Sequence, residues 1–245
     1  MRLRLVFSGE NQPLRQAAAT LYHIMKNFLT CILVCSISSL FGQESEIEKL
    51  LLQGNNAYQK SDFENAKVIY ESIIQIDSTN KDALYNLAGT ELNLGNKSSA
   101  CDLLQKSYSL GDIGAYDLIK EHCDGLNYSE KMFLFQVDEL PKFQYKDEFI
   151  PLIVNKTQLN PNYLKLIRAE IKKSKELKQI KGRASILLNV DINGNLITKI
   201  RGEVPEDKRE LIAQLLENMT EYKPAIYMNK SVELFGGGFA LPLTF

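Results

Sequence analysis

Apolar residues recur at helical spacing from about residue 47, and that spacing predicts helices over 47–60, 63–76, 81–93, 97–109 and 113–122. After Asp124-Gly125 the period is lost. The stretch VDELPKFQYKDEFIPLIV, at 137–154, is mixed, and Pro141 and Pro151 break any long element in it. NPNYLKLIRAEIKKSKELKQIKGR, at 160–183, reads as a Lys-rich helix whose charges form a solvated face. From 184 the period becomes two. Ala184, Ile186, Leu188 and Val190 share one face of a strand, Asn193-Gly194 marks a hairpin turn with positive backbone angles, and NLITKIR returns as the second strand. Pro205 opens a helix with Leu211, Ile212, Leu215, Leu216 and Met219 on one stripe. Over the last stretch, about 231–245, Phe239, Leu241, Leu243 and Phe245 alternate, with Gly236-Gly237-Gly238 expected to bulge or kink the strand. The expected fold class is α+β and multidomain: an all-α unit, then a small ββαβ sheet covered on one face.

One apolar run stands apart. From Phe28 to Phe41 fourteen residues carry no charge, with Lys26 before them and Gly42-Gln43 after. A membrane-spanning helix needs about 20 apolar residues and a signal-peptide core about 7–15, so 25–42 reads as a cleavable signal peptide cut near Gly42. Met25 is then the expected start, within a leader region spanning 1–42. Thr30 and Val34 precede Cys31 and Cys35 where a lipoprotein signal would place a small residue. The expected location is the periplasm, the alternative being an inner-membrane anchor, with membrane contact only if 25–42 is retained.

The helical half repeats itself. Laying residues 47–80 over 81–114, a period of 34, matches Leu50 with Leu84, Gly54 with Ala88, Tyr58 with Leu92, Ser61 with Gly95, Ala66 with Ala100 and Tyr70 with Leu104. Small residues fall where paired helices approach closely, and large ones fill the gaps. GNNAYQKSDFENAKVIYESIIQIDSTN closely resembles the tetratricopeptide-repeat pattern, and NLAGTELNLGNKSSACDLLQKSYSLG keeps its small residues. The resemblance implies an α-solenoid unit over 45–123, capped by the short helix near 113–122. Cys101 begins the last repeat helix and Cys123 ends the cap, so the two are expected to form a disulfide; the alternative is two separate buried thiols. Asn55, Asn86 and Asn93 are candidates to line a concave peptide-binding face.

Charge and composition narrow the chemistry. Lys+Arg number 29 against Asp+Glu 30, which offers no broad field for nucleic acid. The two histidines, His23 and His122, lie far apart, and Trp is absent. Asp191 and Glu203 are the nearest approach to a carboxylate pair, and both read as solubility residues. No catalytic, cofactor or metal residues are expected, and no enzyme.

The C-terminal half carries a second resemblance. VDELPKF (137–143), Gly182-Arg183 entering a strand, VDINGNL (190–196), and YKPAIYMNKSVELFGGGFALPLTF, with its aromatic-x-Pro-Ala stretch and terminal L-P-x-x-F, resemble the C-terminal domain of TonB. The motif residues are Gly182, Asn193, Gly194, Tyr222, Pro224, Ala225 and Pro242, with Tyr222 standing where that family usually has Trp. The resemblance begins near 137, so 124–150 is expected as a linker and 151–245 as the TonB-like domain. It implies binding of a short segment of an outer-membrane transporter by strand addition, linked to energy-dependent transmembrane transport. The receptive edge would comprise Val232, Leu234, Phe239, Leu241, Leu243 and Phe245. The alternative is a passive periplasmic scaffold. Partners are expected to be proteins, a homodimer through an exposed edge included.

Overall fold

The computed structural model describes residues 46–179, 182–237 and 239–244. The leader with Cys31 and Cys35 lies outside the described residues, as do Gly238 and Phe245. The protein is α+β, and it divides into two units between Ser78 and Thr79.

The first unit holds α1 (46–59) and α2 (Phe63–Ile76). A side chain at Gly54 of α1 would meet the ring of Tyr70 at 2.6 Å, so only glycine lets the two helices come this close. The Tyr70 hydroxyl donates to Asn55 Oδ1 at 2.7 Å. Between the helices Ser61 takes a left-handed conformation (φ 61°); Gly95, 34 positions on, does the same (φ 83°).

In the second unit come α3 (Lys81–Asn93), α4 (Lys97–Ser109) and α5 (Gly114–His122). Asn80 starts α3 by accepting the Ala83 N–H at 3.0 Å, a cap worth about 1 kcal/mol. Ala88, Ala100 and Ala115 are fully buried where these helices meet. Cys101 and Cys123 are disulfide-bonded, with Cα atoms 5.7 Å apart and 22 positions between them.

The region 124–150, expected as a linker, is folded. It contains β1 (Lys131–Met132), β2 (Lys142–Tyr145) and β3 (Glu148–Pro151), and Met132 and Phe143 are fully buried. Next come β4 (Ile153–Val154), β5 (Gln158–Leu159) and α6 (Pro161–Lys173). The Lys-rich helix ends at Lys173 and not near 183. Ser174 turns extended (ψ 118°) and its hydroxyl accepts the Leu177 N–H, which brings Leu177 into the core. The remaining elements are β6 (Arg183–Val190), β7 (Leu196–Gly202), α7 (Glu206–Asn218), β8 (Tyr222–Lys223), β9 (Ala225–Tyr227), β10 (Lys230–Leu234) and β11 (Phe239–Thr244).

Three small sheets organise the strands: β11-β6-β7, β3-β2-β8 and β1-β10-β9, with β4 and β5 paired separately. The first sheet buries Ala184, Ile186, Leu188 and Val190 of β6 with Leu196 and Leu241 against Tyr163 and Ile167 of α6 and Ile212 and Leu216 of α7. Each such fully buried aliphatic side chain contributes about 1.5–3 kcal/mol. A second core joins Ala88, Leu104, Tyr108 and Ile119 of α3–α5 to Met132, Val232 and Leu234. The boundary between the two units falls inside the repeat region read over 45–123. Helices α3–α5 share this second core with β1 and β10.

Tyr222 sits in the first core. Its hydroxyl donates to the Leu216 carbonyl at 2.6 Å and meets the Tyr163 hydroxyl at 3.1 Å. Burial pushes the pKa of both phenols up. Tyr222→Phe leaves that carbonyl and the Tyr163 hydroxyl short of a partner, and an urea titration should show a loss of about 1–3 kcal/mol. Replacing Cys101 and Cys123 together by Ser removes a cross-link across 22 positions. That double variant should be less stable by about 3 kcal/mol. The wild type in reductant should melt like the variant, and the variant should not respond to reductant.

Candidate functional site

Strand β11 ends its sheet, and the direction of its backbone groups follows from two bonds. Asp191 N–H donates to the Asn195 carbonyl (2.9 Å) and Glu203 N–H donates to the Arg183 carbonyl (3.0 Å). Odd-numbered residues of β6 therefore bond to β7, and even-numbered ones face β11. Leu188, Ile186 and Ala184 pair with Phe239, Leu241 and Leu243, which leaves Ala240, Pro242 and Thr244 with their main-chain groups turned outward. Among the described residues no strand pairs with that outer edge. Residues 137–154 do not fill it; β2 pairs with β3 on one side and with β8 on the other.

Pro242 lies on this edge, so its missing donor faces away from β6 and costs the sheet nothing. The row of outward groups is left with a gap: Ala240 offers N–H and C=O, and Pro242 offers C=O alone. Leu241 is buried and Phe239 is half-buried on the core face, whereas Ala240 and Pro242 are exposed.

Val232 and Leu234, expected on the same edge, are elsewhere. The stretch 231–245 divides at a short 3-10 turn, Phe235–Gly237, where Gly236 has φ 82°. Before the turn, β10 is flanked by β9 on one side and β1 on the other, and its Val232 and Leu234 are buried under the helices. The alternation runs on in sequence, but the Gly-rich kink sends its two halves to different sheets.

The structure brings most of the motif residues together. The β6–β7 turn is a three-residue loop, Ile192 to Gly194, in which Gly194 (φ 87°) but not Asn193 takes a positive angle. A side chain on Gly194 would strike the Tyr222 carbonyl at 2.9 Å and approach Pro224 at 3.8 Å, so the turn lies directly on the Tyr222–Pro224 segment. Ala225 is buried in the second core. Gly182 (φ 132°) precedes β6 beside Glu203, away from that cluster.

Asn189 was missed by sequence reasoning. It is buried on the face of β6 opposite the apolar row, where its amide donates to the Leu234 carbonyl (3.1 Å) and to Glu233 Oε1 (3.0 Å). Its Oδ1 accepts the Val190 N–H (3.0 Å), a donor that points toward β11 just beyond the last pair. The signal was a polar residue inside the run ILLNV.

Other candidate chemistry is engaged in structure. Asp191 Oδ1 accepts the N–H groups of Asn193 (2.9 Å) and Asn195 (2.8 Å). Slight burial favours a raised pKa, but the bonds from Asn195 and then Asn193 outweigh it and hold the carboxyl below its ordinary value. Asp191 thus serves the turn. Asn55 accepts from Tyr70, and Asn93 donates to the Gly89 carbonyl at 2.8 Å. A groove of 720 Å³ runs beside Cys101, Cys123, Tyr227 and Met228. Its Gln105 is bound to the Gly125 carbonyl (2.8 Å) and to the Asn127 N–H (3.0 Å). Among the described residues no group of three His, Cys, Asp or Glu side chains is placed to hold a metal ion. No helix among them is long and apolar enough to cross a membrane.

Compared with models of known protein families and with curated proteins, the sequence gives no match.

Proposed function

We infer that the protein is a TonB-like binding module of the cell envelope, which takes up an extended segment of a protein partner as a fourth strand beside β11. The observation that carries this reading is the unpaired outer edge of β11, with the groups of Ala240 and Thr244 turned toward solvent. Strand order supports it: the hairpin strands, the helix and the final strand fold so that the last strand is an edge and the first is central. The partner class is an outer-membrane transporter or another periplasmic protein, and the location is the periplasm, an inner-membrane anchor being the alternative. A disulfide suits such an oxidising compartment.

A second reading is a passive adaptor in which tetratricopeptide-like helices hold one partner and the edge another, without energy transfer. The observation that favours it is the shared core of α3–α5 with β1 and β10, against which Phe239 of β11 also packs.

The test is binding of labelled peptides, taken from periplasm-facing segments of outer-membrane transporters, to the full chain. At least one should bind. Ala240→Pro removes an outward donor and crowds the incoming strand, so that affinity should fall about tenfold with the melting temperature little changed. Pro242→Ala closes the gap and should tighten binding by a few-fold, about one net hydrogen bond. Equal binding by Ala240→Pro and wild type would exclude β11 as the docking edge.

A further inference from the structure

The sheet has a second free edge. Among the described residues nothing pairs with the outer side of β7, and the alternation that turns Ala240 outward on β11 turns Thr198 and Ile200 outward on β7. No proline interrupts this row. It is closed only at its end, where the Arg209 guanidinium donates to the Gly202 carbonyl at 3.0 Å.

The face beside this edge is cationic. Opposite the buried row lie Arg183, Ser185 and Leu187 of β6, Ile197, Lys199 and Arg201 of β7, and Ala240 and Pro242 of β11. Arg183, Lys199 and Arg201 are exposed, and none has an ion-pair partner among the described residues. Ile197 is 45% exposed between them and the covered Asn189 end. Glu203 follows Gly202 at one limit of the patch, and Glu233 at the other is engaged by Asn189 and Lys131. In a chain of net charge −1, this is a local concentration of one sign.

We propose that the outer edge of β7 is a second docking site, which takes an extended acidic segment of a protein partner. A strand added there lies about 4.8 Å from β7, so its side chains stand directly beside Ile197, Lys199 and Arg201. The matching segment carries carboxylates at alternate positions, on the face that meets Lys199 and Arg201. A second copy of this chain does not fit. Antiparallel pairing of β7 with itself centred on Lys199 or Ile200 sets Lys199 against Lys199 or Arg201 of the other copy, like charges that oppose self-association. The same two charges that exclude a copy select an acidic strand. This site stands independently of β11.

The experiment uses the full chain labelled with 15N and two synthetic probes, acetyl-Val-Glu-Val-Glu-Val-Glu-amide and its Lys-for-Glu counterpart. The acidic probe should shift the amides of 197–201, and the basic probe should not. Lys199→Glu with Arg201→Glu, both exposed and outside either core, should lower affinity for the acidic probe about tenfold or more and admit the basic one. Thr198→Pro, which removes an outward donor, should abolish binding of the acidic probe, whereas Ala240→Pro should leave it unchanged. Shifts confined to 239–244 would overturn the β7 site while supporting strand addition at β11. No shift at millimolar probe, or equal binding by the charge-reversed variant, would also overturn it.

Discussion

The arrangement of the second unit depends on Tyr108. Its ring is almost wholly buried near the end of α4, edge-on to Phe133 (5.5 Å) and to Phe235 (6.3 Å), and its hydroxyl accepts the Phe133 N–H at 3.2 Å. Burial pushes the phenol up to about 12, so it stays neutral in that role. Phe133 and Phe235 also pack on one another at a tilt, their ring centres 4.7 Å apart. One phenol therefore joins a helix, the segment after the disulfide and the kink between β10 and β11. Aromatic contacts of this kind add about 0.5–1.5 kcal/mol each beyond area burial.

From that clasp the two cores become one system. Leu134 and Phe239 pack against both of them, so the strand that forms the open edge is anchored to the same interior that holds the helices. Asn189 adds a polar tie between β6 and β10 that an apolar residue would not supply. A buried amide with both its donors and its acceptor engaged favours one register over its neighbours, since a slip by one residue would leave it unpaired. The edge is thus packed from behind, while no strand among the described residues pairs with its outward groups.

How much of this was legible follows from element length and from the sequence distance between partners. The helices up to His122 were readable because each is nine residues or longer with small residues at close approaches, and the observed bounds fall within a residue or so of the expected ones. The pair β6–β7, α7 and β11 were readable from alternation and one apolar stripe. The five strands between 131 and 159 are two to four residues long, too short to show a period. The Lys-rich helix was overextended because lysine favours helix locally, while Leu177 is decided by a core formed from residues distant on both sides of it. The second core was illegible for a plainer reason. Met132 is in register with Leu234, more than a hundred positions away, and nothing local marks either residue as the cover for a helix.

That long-range register has a consequence in time. Helices α3–α5 and the Cys101–Cys123 bond involve only near neighbours in the chain and can assemble as soon as those residues are free. The strand that seals them, β10, and the strand that completes the first sheet, β11, both come from the last stretch of the sequence, after everything they pair with. Closing those loops is the slow part of folding. The disulfide can therefore form before β10 covers the helix faces beneath it, faces whose apolar surface is sealed only by the final strands.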